Sequence, residues 1–263
     1  MAIKDLIISF DSLTAPDAQL PYAIEVTEAL GAHAIGVAHV PAGETAPRAE
    51  TQRAMDRFAS AGDQRGISWE TRLATCATGK FAEQLSVQAR HVDLSIIGQP
   101  YPEGANGKHQ TALYEELLFH SGRPVLVVPW AGHPKPTPRT AIVAWDASST
   151  AARALADAVP LLSLAEKVIV LVATDDKQSD LGTDPGIDIA HHLARHDLNV
   201  EVRRIPLDSE TPTADLLLSQ SAVLGADLMV MGGYHHSRMR ELLLGGVTRT
   251  VIKTMTVPVL MSH

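Results

Sequence analysis

The stretch DLMVMGGYHHSRMRELLLGGVTRTVIKTMTVPVLMSH, Asp227–His263, holds two kinds of pattern in 37 residues. Leu228–Met231 is an apolar run short enough for a buried strand. It stops at Gly232-Gly233, where glycine lets the backbone turn sharply. A basic loop follows, with His235, Ser237 and Arg238. A second glycine pair, Gly245-Gly246, opens a helical segment that begins Val247-Thr248 and ends before Pro258. Val257–Met261 then reads as a closing strand. Strand, glycine turn, basic loop and a glycine pair at a helix start make a candidate phosphate cradle, because free N–H groups at a helix N-terminus favour an anion.

The same signals occur earlier in the chain at a fixed distance. DLSIIG starts at Asp93 and DLMVMG at Asp227, 134 positions apart. Pro124 of RPVLVV and Pro258 of VPVLMS are also 134 apart, and Phe10-Asp11 and Trp145-Asp146 are 135 apart. Three matches in near-constant register point to a tandem duplication. The strands expected in the first half are 3–10, 33–40, 67–75, 93–98 and 124–128, with helices at 20–30, 48–61, 81–89 and 113–120. Residues 99–110 read as a polar loop. In the second half the strands are 141–145, 167–173, 200–205, 228–231 and 258–261, and the helices 151–162, 187–195, 214–224 and 247–255. Alternating strands and helices imply, for each half, a five-stranded parallel sheet with helices on both faces, a Rossmann-like α/β domain. Residues 131–138 carry three prolines and no apolar period, and read as a linker between domains at 1–130 and 139–263.

Composition narrows the function. The net charge is −8, which argues against a general nucleic-acid binder. Charged residues make up 20% and no run reaches the ~20 apolar residues of a membrane helix, so no membrane role is expected. Cys76 is the only cysteine, which excludes an internal disulfide and a cysteine zinc site, and burial is its expected role. Met1–Ser12 lacks a signal-peptide pattern, so the expected location is the cytoplasm.

In a doubly wound sheet, ligands sit beyond the carboxyl ends of the strands where strand order reverses. Asp146, Ala173 and Gly232 would converge there. Asp146 also fits a turn or helix cap, and the glycines also fit tight turns. Ser12 and Ser148 are weak candidates for catalysis; no GxSxG or GxxxxGK[ST] motif occurs. Asp188, His192 and His196, spaced by four, share a helix face with His191 beside them. They could hold zinc, but a polar helix face with local pairing is the preferred reading, and no metal site is assigned.

The C-terminal stretch resembles the signature of the universal stress protein family: Gly, two residues, Gly, nine residues, then Gly and a small residue. Gly232 and Gly245 fill the first and third glycine positions; His235 stands at the second, and Gly246 replaces the usual hydroxyl residue. The resemblance implies an adenine-nucleotide-binding fold in each half. It implies contacts from Asp146, from the strand end at Val172 and Ala173, and from Gly232, Gly233, His235, Ser237, Arg238, Gly245, Gly246, Val247 and Thr248. ATP, ADP or AMP would be the ligand, with Mg²⁺ beside the phosphates, in a stress-response binding protein with at most weak ATP hydrolysis. Asp11 is the first-half counterpart of Asp146, but Thr111 and Ala112 stand where Gly245 and Gly246 would be, so that half is expected to be a structural or partner domain. Pairing of the last strands within the chain, or a homodimer, is the assembly the family implies. The alternative is a nucleotide-free scaffold, since His235 puts an imidazole where the family brings bare backbone to a phosphate. An ATP-pyrophosphatase is disfavoured, because no Ser-Gly-Gly-rich loop follows the first strand.

Overall fold

A computed structural model describes residues 2–13, 16–100, 105–132, 134–174, 185–206, 210–233 and 246–263. The chain divides into two compact units, Ala2–Pro136 and Thr137–His263.

In the first unit the order is β1 (Asp5–Ser9), a 3₁₀ turn (Phe10–Ser12), α1 (Pro16–Leu30), β2 (His33–Pro41), α2 (Ala49–Arg65), β3 (Ser68–Cys76), α3 (Phe81–Ala89), β4 (Leu94–Gly98), α4 (Ala105–His120) and β5 (Val125–Val128). The second unit repeats it: β6 (Thr140–Trp145), α5 (Ser149–Leu162), β7 (Lys167–Thr174), α6 (Pro185–Ala194), β8 (Val200–Pro206), α7 (Thr213–Val223), β9 (Leu228–Gly232), α8 (Gly246–Thr254) and β10 (Val259–Ser262).

Each unit has a parallel five-stranded sheet. The strand order is β3-β2-β1-β4-β5 in the first unit and β8-β7-β6-β9-β10 in the second. The central strands are buried along nearly their whole length, as in Leu6–Ser9, Leu94–Gly98 and Leu228–Met231. Burial of consecutive residues means both faces are covered, which is why these strands read as apolar runs and do not alternate. The edge strands β3 and β8 are polar and carry the ion pairs Arg72–Glu70 and Arg203–Glu201. Charges at an edge oppose pairing with another chain.

The duplication is visible in specific contacts. The Asp93 carboxylate accepts hydrogen bonds from the backbone N–H groups of Lys4 (2.8 Å) and Asp5 (3.3 Å). Asp227, its repeat partner, accepts from Arg139 (2.9 Å) and Thr140 (3.4 Å). Each aspartate pins the start of its unit's first strand to the strand beside it.

Two local expectations change. Residues 105–110 are helical, since α4 starts at Ala105 and residues 99–110 are not all loop. The packed face of Leu113, Tyr114, Leu117 and Leu118 makes the helix favourable, and it extends through low-propensity residues that resemble a loop in sequence. Thr111 and Ala112 therefore lie inside α4 and not at its start. The first strand is also shorter, because Phe10 belongs to the 3₁₀ turn.

Candidate functional site

The second unit's sheet reverses direction of growth between β6 and β9. From β6 the chain moves outward to β7 and β8, then returns to β9 on the other side. The register aligns the rim: Trp145 pairs with Val172, and Val143 pairs with Val230, so Trp145 comes level with Gly232 two residues on. Asp146 follows directly after the rim.

The turn after β6 is built by hydrogen bonds. Asp146 Oδ1 accepts from Ser148 N–H at 2.9 Å, and Ala147 takes a left-handed φ of 59°. Ser148 is the N-cap of α5, its Oγ accepting from Ala151 N–H at 3.0 Å and lying 3.1 Å from Thr150 Oγ1. The capping role accounts for Ser148, since a serine here satisfies a helix N–H that has no partner within the helix. Asp146 is exposed, and among the described residues its Oδ2 has no protein hydrogen bond.

Gly232 is glycine for a steric reason. A Cβ there would lie 2.6 Å from the Ala151 nitrogen and 2.6 Å from Thr150 Oγ1, so the end of β9 sits directly against the first turn of α5. Gly233 has its backbone occupied: its N–H donates to Ser262 O (2.8 Å), and its carbonyl lies 3.0 Å from His263 Nδ1. Gly246 is exposed at the N-terminus of α8, and a Cβ on it would meet no described atom within 4 Å. Val247 is half-buried and Thr248 is buried. His235, Ser237, Arg238 and Gly245 lie outside the described residues.

The strand end at Val172–Ala173 offers backbone. Past Trp145, β6 has ended, while β7 continues through Ala173 and Thr174, paired with Ile205 and Pro206 of β8. On the β6 side that part of β7 has no strand partner among the described residues. Bare backbone beside Asp146 can hydrogen-bond a planar heterocycle edge-on.

The corresponding place in the first unit is occupied by protein. Asp11 Oδ2 accepts from His39 N–H (2.7 Å), and Oδ1 accepts from Thr51 Oγ1 (3.0 Å), so both oxygens are used. Burial raises the Asp11 pKa above the ordinary aspartate value, with the His39 and Thr51 hydrogen bonds opposing the rise. Ser12 Oγ donates to Ser9 O at 2.7 Å and accepts from Gly98 N–H at 3.1 Å. Gln19 is fully buried and donates to Val128 O at 2.9 Å. A Cβ on Gly98 would lie 2.3 Å from Ser12 O and 2.8 Å from Gln19 Oε1. Asp11, Ser12 and Gln19 thus fill the crevice at the β1–β4 switch point. Sequence reasoning missed Gln19; a lone polar residue in the first turns of a helix gives no sign that it folds back over a strand end.

Cys76 is a free, buried cysteine, and burial pushes its thiol pKa up. No described helix is long and apolar enough to cross a membrane. Among the described residues no group of three or more His, Cys, Asp or Glu side chains could hold a metal ion.

The model of the universal stress protein family matches residues 138–263. The second half of the chain is a universal stress protein domain. Solved structures extend the likeness of fold to both halves. A universal stress protein from Archaeoglobus fulgidus DSM 4304 is 14% identical, with a TM-score of 0.67 over 98% of this chain and 95% of that one. A functionally unknown protein from Pseudomonas aeruginosa PAO1 is 18% identical, with a TM-score of 0.66 over 99% and 92%. The cytoplasmic domain of a prokaryotic cation chloride cotransporter is 12% identical, with a TM-score of 0.56 over 100% and 96%. At these identities the likeness is one of fold, and the universal stress protein fold is shared by proteins of different function. No curated protein matches the chain significantly.

Proposed function

We propose that this protein binds an adenine nucleotide in its second unit and acts as a cytoplasmic stress-response binding protein, with at most weak ATP hydrolysis. The observation that carries this reading is the β6–β9 switch point. It has an exposed carboxylate on Asp146, β7 backbone at Ala173 with no strand partner on its β6 side among the described residues, and an exposed helix start at Gly246. The carboxylate and strand backbone suit the donor and acceptor edge of adenine, and the α8 N-terminus suits phosphate. His235, Ser237, Arg238 and Gly245 belong to the same proposed cradle, and Mg²⁺ would accompany the phosphates. The reading assigns domains to residues 1–130 and 139–263 with a linker at 131–138; the first domain is structural.

A second reading, a nucleotide-free interaction scaffold, is favoured by His235 and by the first unit's filled crevice. Calorimetry with ATP, ADP and AMP separates the two. Heat at sub-millimolar concentration supports the nucleotide reading, and silence with all three ends it. If ATP binds only to His235→Gly, the natural chain has lost the activity. Mass spectrometry of small molecules released from the denatured protein tests whether a nucleotide is carried at all.

A further inference from the structure

We propose that His192 and His196 form a surface site for one divalent transition-metal ion, binding Cu²⁺ more tightly than Zn²⁺. This inference is independent of the nucleotide reading. His192 lies in the last turn of α6, and His196 follows four residues later. The helical path continues beyond Ala194: Arg195 N–H donates to His191 O and His192 O, and His196 N–H donates to Leu193 O at 2.9 Å. Asp197 then adopts a left-handed φ of 60°, and Leu198 N–H returns to Leu193 O at 3.4 Å. This is the Schellman closure of a helix, with Leu193 and Leu198 buried beneath it. The cap fixes the two histidines on successive turns of one face.

Both side chains are exposed, and their rings meet edge to face with centroids 5.0 Å apart at 71°. That separation suits chelation. With a metal ~2.0–2.1 Å from one nitrogen of each ring, a cis pair of imidazoles has its ring centres about 5 Å apart. Neither ring makes a hydrogen bond or ion pair among the described residues, so no protein partner has to be displaced. The helix C-terminus adds partial negative charge. Asp188 lies one turn before His192 and Asp197 one residue after His196; Arg195 is the opposing charge. The three-ligand site considered from the sequence is not formed, so water would complete the coordination. Imidazole donors and the Irving–Williams order favour copper.

The test is calorimetric titration of chelator-stripped, full-length protein with CuCl₂ and, separately, ZnCl₂. The expected result is one Cu²⁺ per chain at micromolar affinity, with Zn²⁺ weaker. His192→Ala and His196→Ala should each weaken copper at least tenfold, while His191→Ala and Asp188→Ala stay within twofold. Electron paramagnetic resonance of the copper-loaded wild type should show two imidazole nitrogens, a readout that needs no variant. Copper affinity unchanged in His192→Ala or His196→Ala, an equal loss in His191→Ala or Asp188→Ala, zinc preferred to copper, or a spectrum without two imidazoles would overturn the proposal.

Discussion

Gly232 and Ala151 are in contact with no room for a side chain between them: a Cβ on Gly232 would come within 2.6 Å of the Ala151 nitrogen. The obstructing atoms include backbone at the start of α5, which cannot swing aside as a flexible side chain can. Gly232→Ala should therefore destabilise the second unit by ~1–3 kcal/mol through overpacking. The smaller unfolded-state benefit of replacing glycine, ~0.4–1 kcal/mol, offsets only part of this. Urea unfolding measures the difference, and an equal or higher midpoint would contradict the contact.

Asp146 separates turn from ligand. Asp146→Asn keeps an oxygen for Ser148 N–H and should change stability by less than ~0.5 kcal/mol, while Asp146→Ala should cost ~0.5–1.5 kcal/mol. Nucleotide affinity should fall at least about tenfold in both, because both lose the ionised oxygen. Thermal unfolding and calorimetry on the same samples give the two numbers.

Asp11 gives a pH dependence of known sign. Its folded pKa is raised above the unfolded value, so its stabilising contribution is complete below the unfolded pKa. That contribution is lost as pH rises through the folded pKa. In urea titrations from pH ~7 to ~4, wild type should gain stability relative to Asp11→Asn as pH falls. A gap that stays constant, or moves the other way, would contradict the raised pKa.

Phe58 is the centre of the first unit's aromatic cluster. Its ring meets Phe10 at 5.3 Å and Trp69 at 5.7 Å, both edge to face. Phe58→Ala should cost ~3–5 kcal/mol, the range for deleting a buried aromatic ring. Denaturant unfolding followed by Trp69 fluorescence reports it, since the ring beside that indole is the one removed.

The duplication could be read from the sequence because its markers are backbone-directed. Asp93 and Asp227 repeat because each holds the same two strand N–H groups, and the proline before each last strand stands in the same place, its carbonyl accepting from Ser95 N–H (3.0 Å) in one half and from Met229 N–H (2.9 Å) in the other. Apolar runs located the buried strands for the same reason: parallel central strands are covered on both faces. The α4 start was hidden because its first turns have poor intrinsic propensity and depend on packing further along. The switch-point geometry followed from strand order, but how each crevice is used did not. Ser148 and Ser12 look alike in sequence; one caps α5 and the other bridges Ser9 to Gly98. Gln19 closing the first crevice and the two imidazoles meeting across the end of α6 depend on side-chain direction in three dimensions, which spacing alone does not supply.

Gln19 makes the two halves unequal thermometers. A fold whose crevice is plugged by its own amide offers no vacancy for a ligand to favour, so its melting point should not respond to added nucleotide. An open crevice responds by mass action, gaining stability with the logarithm of ligand concentration. If the second unit binds nucleotide as proposed, one polypeptide contains both a probe and its blank.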